Sequence, residues 1–456
     1  MKTIIEPFKI KMVEPLRMST RNERETFLKN AFYNPFLLTS DQVIIDLLTD
    51  SGTSAMSAAQ WGGMMQGDES YAGASSWLKM EKVIRALTGH EFIFPTHQGR
   101  AAERILYGYL GKPGKVFISN THFDTTRANI EFTGAEAIDI PSPSDPDSDF
   151  PFKGNIDLNK LEELLKQHGK NVAGVIITAT NNSGGGQPVS MENMKAASAL
   201  CRKHSVNLFL DCCRIAENSW FIRLHESGYQ NKACKSIAQE MFGYADGAIM
   251  SLKKDGLVNM GGFLTLRNKE LAEACQNLLI ITEGFITYGG LSGRDMEAIA
   301  QGLEEVFDHD YLHYRITSTG FLGKGVKALG VPVVWPIGGH AVYVDAAAFY
   351  SHIPVHHYPA QALVCELYLA GGIRAVEIGS VMFGKYDDDG NLIPARRELV
   401  RLAIPRRVYT QSHIEYVIEV FEELSANRQK TTGLKIIKEP AFLRHFTCHF
   451  EKTGAA

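Results

Sequence analysis

This sequence predicts an α/β protein built on a mostly parallel sheet, and three observations carry that prediction. Val172–Thr180, Met191–Ser205 and Val206–Arg214 read as a buried strand, a helix and a second strand, with the glycine-rich turn NNSGGGQPVS after the first. Strand–helix–strand implies parallel pairing through a right-handed crossover. Ala248–Leu252 is a further apolar run bounded by glycines, the pattern of a strand buried on both faces. Polar residues then follow the strands: Asn182 after one, Asp211 and Arg214 after the next, Lys253 and Lys254 after the third. Open α/β sheets keep their ligand crevice at those carboxyl ends.

At 456 residues the chain is long enough for two domains with full cores. Its net charge of -4 gives no reason to expect nucleic acid or an anionic membrane as partner. The start, MKTIIEPFKIKMVEP, mixes charges and prolines into its apolar residues and has no signal-peptide core. The longest apolar run, LGVPVVWPIGGHAVYV, is interrupted by two prolines and a histidine, so no membrane span is expected. The seven cysteines are odd in number and without framework spacing, which predicts reduced thiols and a cytoplasmic location. No CxxC or Cys/His cluster suggests zinc.

In chain order, Thr20–Ala31 reads as a helix and Ile45–Ser57 as an apolar run entering a polar turn. Thr49, Asp50, Ser51 and Thr53 in that turn could bind a carboxylate or cap the next helix, and the residues alone favour the cap. Gly67–Trp77 is a small-residue loop whose Tyr71 is a packing residue or a proton donor. FIFP reads as a strand, THQGR as a turn and AAERILYGYLG as a helix closed by Gly111 and Pro113. Gln98, Gly99 and Arg100 at that helix start suit a phosphate, through free amides, the positive dipole end and a guanidinium. An ordinary βα turn is the alternative. Lys115–Ile140 reads as two strands around a polar connector holding Phe123 and Asp124; Phe123 could stack on a cofactor ring or join the core. Ser142–Phe152 is an acidic, proline-bearing surface loop, and Asn155–Gly169 a capped amphipathic helix with Leu161, Leu164 and Leu165 on one face. Later, VPVVWPIGGHAVYVDA reads as strands and ALVCELYLAGG as a helix.

A partly desolvated lysine at a strand end can act as a Schiff-base nucleophile; the competing reading of Lys253 and Lys254 is a pair of solvated loop charges. The partner set favours the nucleophile. A pyridine aldehyde cofactor needs a lysine to hold it, a carboxylate against its ring nitrogen, a donor beside its ring hydroxyl and a helix-start turn for its phosphate. Lys254, Asp211, Asn182 with Arg214, and the Gln98–Gly99–Arg100 turn supply these, which points to pyridoxal phosphate. Outside that set, Asp211 would be a helix cap or a surface ion pair.

From EPFKIKMVEP near the start to LRHFTCHF near the end, nearly the full chain resembles the β-eliminating lyases of aromatic amino acids. The resemblance rests on IDLLTDSGT, GDESYAG, PTHQGR, FDTT, GGQPVS, SLKKD, NMGGF, YGGLSGRDME, GGHAV, YPAQ and RLAIPRRVYT, in fixed order. It implies a pyridoxal-phosphate-dependent, aminotransferase-like α/β fold of type I. A large domain over residues 49–310 would carry a mostly parallel seven-stranded sheet. Residues 1–48 would form an N-terminal arm and part of a smaller α+β domain completed by residues 311–456, and substrate binding would favour closure. Lys254 would be the Schiff-base lysine with Lys253 beside it, Asp211 the partner of the ring nitrogen, Asn182 and Arg214 neighbours of the ring oxygen, and Phe123 the stacking residue. Gln98, Gly99, Arg100 and Ser251 would hold the phosphate. Arg401 would grip the substrate carboxylate, helped by Thr49 and Ser51, and Tyr71 would belong to the proton-transfer machinery. A potassium ion would be bound by Glu69 and the main-chain oxygens of Gly52 and Asn259. The assembly would be a homotetramer with active sites at a dimer interface.

The family's activities release indole or phenol, and three positions bear on the choice. Phenol-releasing members carry an arginine at the position of Ile378 and a threonine at that of Asp124; here an apolar side chain faces a large ring and a carboxylate can accept an indole N–H or supply a proton. His445, in LRHFT, matches a histidine of the indole-releasing members. Together they imply elimination of L-tryptophan to indole, pyruvate and ammonium. The alternatives are phenol release from tyrosine, another carbon–carbon or carbon–sulfur β-elimination, or a cofactor-binding protein without turnover. The chain departs from the family pattern at Cys212, Cys213, Gly184 and Leu252. Alternation along the strand would place one cysteine under the cofactor ring, and the bulk of Leu252 would tilt the cofactor or narrow the pocket.

Overall fold

Seven strands form the central sheet: β1 (Phe92–Thr96), β2 (Val116–Ser119), β3 (Glu136–Asp139), β4 (Val172–Thr178), β5 (Leu208–Asp211), β6 (Gly247–Ser251) and β7 (Gly262–Leu266). They lie in the order β1-β7-β6-β5-β4-β2-β3 in a computed structural model describing residues 3–146, 148–440 and 443–454. Every pairing is parallel except those of β7, which runs against β1 and β6. All strands but β7 therefore end on one edge of the sheet.

The strand side chains explain why helices cover both faces. Val175 and Ile177 of β4 join one core with Leu208, Leu210, Ala248 and Met250, while Ile176, between them, joins another with Phe209, Ile249 and Leu264. That alternation follows from the period-2 pleat, and each buried side chain larger than alanine there contributes about 1.5–3 kcal/mol. Helix Met191–Lys203 covers the first face with Met191, Met194, Ala197 and Cys201; helix Gly99–Leu110 covers the second with Ala102, Ile105 and Leu106.

Some local expectations are met and others are corrected. Thr20 caps helix Arg21–Asn30 through a reciprocal box with Glu23, and Asp157 caps helix Leu158–His168, which buries Leu161, Leu164 and Leu165. The polar connector within Lys115–Ile140 holds helix Asp124–Glu131, which joins β2 to β3, because two parallel neighbours need a crossover. Thr49, Asp50, Ser51 and Thr53 do not cap the next helix; Ser57 does, its hydroxyl accepting from the Gln60 amide above Ala58–Met64. Of the expected acidic loop, Asp147 lies outside the described residues.

The chain divides into two compact units, Ser51–Ile316 around the large sheet, and the residues up to Asp50 with those from Thr317 onward. The second unit holds an antiparallel sheet of β8 (Ala341–Asp345), β9 (Val376–Ile378) and β10 (Leu399–Ala403), with β10 in the middle. Helices Pro359–Gly371 and Gln411–Asn427 pack Leu363, Leu367, Val417 and Phe421 against Val342, Val344, Val400 and Leu402. Only β8 forms a regular strand within the stretch expected to hold several; Val333 adds an isolated bridge to Val344. Among the described residues no helix is long and apolar enough to cross a membrane.

Candidate active site

The first group of candidates sits where β4, β5 and β6 end. Asp211 closes β5, and its Oδ1 accepts the Cys213 amide at 3.3 Å. Ser251 closes β6, and its amide donates to Cys213 Sγ at 3.2 Å. The charges acting on the Cys213 thiol are those of Asp211 and Lys254; burial first, then Asp211, pushes that thiol up and keeps it protonated. Asp211, Cys213, Ser251 and Lys254 thus converge. Fully buried Asp255 fixes the turn that follows, its Oδ2 accepting the Ala216 amide at 2.8 Å while its own amide donates to the Cys213 carbonyl at 3.3 Å.

A second convergence is cationic. Burial first, then the charges of Lys254 and Arg100, lowers the Lys253 ammonium below its ordinary value. Arg100 belongs to the first turn of helix Gly99–Leu110, whose cap residue Gln98 makes no side-chain bond to the first amides. Gln98 is bridged to Gly261, and the Gly261 amide donates to the His97 carbonyl at 2.8 Å. Close approach explains Gly99: a Cβ there would lie 2.7 Å from Ser251 Cβ and 3.0 Å from its backbone nitrogen. Helix amides without a side-chain cap, beside cations and a serine, fit the phosphate of pyridoxal phosphate. The charged end of Asp211, one strand from the Lys254 turn, fits a pyridine nitrogen.

Asn182 and Arg214 are buried in the turns after β4 and β5, where the Arg214 amide donates to the Ala179 carbonyl at 3.3 Å. Phe123 is half-buried and precedes helix Asp124–Glu131; the Asp124 carboxylate accepts the Thr125 amide at 2.6 Å. Cys212 turns into the core and its thiol donates to the Ile249 carbonyl at 3.2 Å. Leu252 does not narrow a pocket: it is wholly buried in the core, its Cβ filling the space beside Gly256 and Gly261.

The candidate potassium ligands divide. Asn259 Nδ2 donates to the Gly52 and Ser54 carbonyls at 3.0 and 3.2 Å, which brings Gly52 and Asn259 together. The Glu69 carboxylate instead accepts the Gly293 amide at 2.9 Å and the Arg294 amide at 3.3 Å, capping helix Gly293–Glu305. Tyr71 is 69% exposed, its ring 5.9 Å from that of Phe285 and 5.1 Å from that of Tyr288. A bond to Tyr288 raises its phenol above the ordinary value.

In the second unit, Arg401 lies in the middle strand of the antiparallel sheet, in register with Val376 and Tyr343. Its Nη2 donates to the Leu48 carbonyl at 3.2 Å, next to half-buried Thr49. Ile378 packs with Tyr343, Val376 and Leu399. His445 is buried, and desolvation with the nearby charges of Arg401 and Arg444 pushes it down to about 4, so it stays neutral at physiological pH. Half-buried Ser51 begins the other unit, directly before Gly52, whose amide donates to the Lys253 carbonyl at 2.7 Å.

Two groups escaped the reading of the sequence. His122 Nδ1 lies 2.6 Å from Asp139 Oδ1, which also accepts the His122 amide at 2.8 Å, fixing the backbone just before Phe123. Glu103 is a buried carboxylate on the inward stripe of helix Gly99–Leu110. A glutamate between Ala102 and Leu106 on a core-facing stripe was the available signal.

The sheet order, the strand-end lysine and carboxylate, and the helix-start cradle define a fold type I scaffold of the pyridoxal-phosphate enzymes. Solved structures agree: a serine palmitoyltransferase from Sphingomonas wittichii is similar at a TM-score of 0.59 and 13% identity, over 90% of this chain and 97% of that one. Threonine aldolase from Leishmania major is similar at 0.58 and 15% identity, over 84% and 99%. The chain belongs to the β-eliminating lyase family, whose model matches residues 46–420. It is 58% identical to a tryptophanase of Salinibacter ruber, over 98% of this chain and 96% of the relative, and 56% identical to one of Hyphomonas neptunium, over 99% and 100%. A tyrosine phenol-lyase of Clostridium tetani is 47% identical, over 98% of each.

Proposed function

We propose that this enzyme eliminates indole from L-tryptophan, leaving pyruvate and ammonium, with pyridoxal phosphate as cofactor. The observation that carries the reading is the convergence of Asp211, Ser251 and Lys254 at one sheet edge beside the Gly99 cradle. Bound there, pyridoxal phosphate supplies a ring that accepts negative charge from the carbon bearing the amino group. Lys254 would hold the cofactor aldehyde and would be the base for the proton on that carbon. Asp211 would pair with the ring nitrogen and favour its protonated form. Asn182 and Arg214 would lie by the ring oxygen, Phe123 would stack on the ring, and Gln98, Gly99, Arg100, Ser251 and Lys253 would hold the phosphate. Arg401 grips the substrate carboxylate through its planar fork, with Thr49 and Ser51. Asp124 and Tyr71 are the groups for delivering a proton to the indole carbon, which must precede departure because an indolyl anion leaves poorly. Ile378 supplies apolar contact for the indole ring and His445 a neutral wall.

Potassium held by Glu69, Gly52 and Asn259 is part of the proposal, as is a cytoplasmic homotetramer. High exposure of Tyr71 in the single chain supports a site completed by a second copy, since a proton donor works best shielded from water. The test is turnover of L-tryptophan and L-tyrosine by purified protein with pyridoxal phosphate and potassium. Indole and pyruvate in equal amounts from tryptophan are expected; phenol from tyrosine alone would overturn the substrate assignment.

A further inference from the structure

Glu103 lies one turn beyond Gly99, on the helix that begins with the phosphate cradle, and is 7% exposed. Its carboxylate gathers three side-chain donors. Thr125 Oγ1 and Asn129 Nδ2 donate to Oε2 at 2.9 and 3.3 Å, and Thr126 Oγ1 donates to Oε1 at 2.5 Å. All three belong to helix Asp124–Glu131, which Phe123 and Asp124 open. One carboxylate therefore joins the helix of the cradle to the helix start carrying the stacking and proton-donating candidates. Apolar side chains could join two helices without burying a charge, so the use of a glutamate asks for another reason.

The charges around it supply that reason. Glu103 faces Asp211 at the end of β5 and Asp124 on the neighbouring helix. On its own helix it faces the fully buried phenol of Tyr107, which also senses Asp211 and Cys213. Burial first, then the Asp211 and Asp124 charges against the threonine bonds, brings the Glu103 carboxyl up to about 7.

We propose that Glu103 is a positioning residue for the elimination, its negative charge behind Asp211 strengthening the hold of that carboxylate on the cofactor's ring proton while its threonine bonds fix Phe123 and Asp124. The inference rests on the function proposed above. Glu103→Gln keeps the shape and removes the charge. Its kcat is expected to fall about tenfold with KM for tryptophan nearly unchanged, and the pH at which the bound cofactor's visible absorbance changes should drop by about one pH unit. Thr126→Val deletes a bond that favours the charged form, so the limb of the pH–rate profile assigned to Glu103 should move upward. An absorbance midpoint in Glu103→Gln equal to the parent's, or an unmoved limb in Thr126→Val, would overturn the proposal whatever happens to thermal stability. Parent protein that binds the cofactor but releases no indole would sink the proposed function, while the absorbance titration still decides the role of Glu103.

Discussion

The two units assemble their candidate chemistry by different routes. Around the large sheet three parallel strands present a functional group at or past their ends: Asn182 beyond β4, Asp211 as the last paired residue of β5, Lys254 beyond β6. In the second unit Arg401 sits inside the ladder itself, paired to Val376 on one side and Tyr343 on the other, with Ile378 beside Leu399. A side chain past a strand end can change without disturbing the ladder. One within the middle strand cannot change without its neighbours feeling it. Function and stability should therefore separate in the first unit and mix in the second.

The largest effect tests the separation. Lys254→Ala is expected to lower kcat by about 10³-fold or more while the thermal midpoint of the apoprotein stays at the parent value. Residual turnover near the parent rate would break the assignment. Arg401→Lys probes the other unit. Losing the planar fork at a charged partner should lower kcat/KM for tryptophan by about 10- to 100-fold, mainly through KM. The buried ammonium, set between Val376 and Tyr343, should also lower the thermal midpoint, which steady-state kinetics and calorimetry on one preparation would check together. Gly99→Ala returns to the first unit with a smaller change. Its methyl would press on Ser251 at 2.7 Å, and overpacking of about 1–3 kcal/mol should weaken pyridoxal phosphate binding about tenfold in equilibrium dialysis.

The same contrast explains what was legible in the sequence. Parallel topology turns chain order into strand ends, so Asp211 and Lys254 could be assigned to one edge from apolar runs and the residues after them. The helix within the polar connector between β2 and β3 was not legible because FDTTRANIE opens on polar residues with only a short apolar stripe, burying Thr126 and Ile130. Leu252 was expected at the cofactor because sequence adjacency to Lys253 says nothing of direction; the turn after β6 sends it into the core. Glu103 and the His122–Asp139 pair stayed hidden because their partners lie 17 to 26 residues away across elements, and no local period marks a tertiary hydrogen bond.

A buried acid in each unit sharpens the comparison through the pH dependence of stability. Glu377 accepts the Val381 and Met382 amides at 3.0 Å each, and Glu398 accepts the Ser380 amide at 3.0 Å and the Ser380 hydroxyl. Both carboxylates border Gly379, where an added Cβ would lie 2.7 Å from an oxygen of each. Burial first, then the Glu398 charge, raises Glu377 from 4.5 to about 8, whereas Glu103 in the other unit rises from 4.5 to about 7. In both cases the native state keeps a proton that the unfolded chain releases. Each therefore stabilises fully at acid pH and loses that contribution as pH rises through its own window, which for Glu377 extends about one pH unit further. Urea unfolding across that range should show the parent losing stability up to about pH 8, Glu103→Gln retaining the last part of that loss, and Glu377→Gln abolishing it. Because glutamine sets an N–H₂ against one of the two amides, Glu377→Gln should also start about 1–3 kcal/mol less stable at acid pH. A parent curve flat from neutral pH to about pH 8 would mean that Glu377 is already ionised in the folded protein, its charge held by the amides of its own turn.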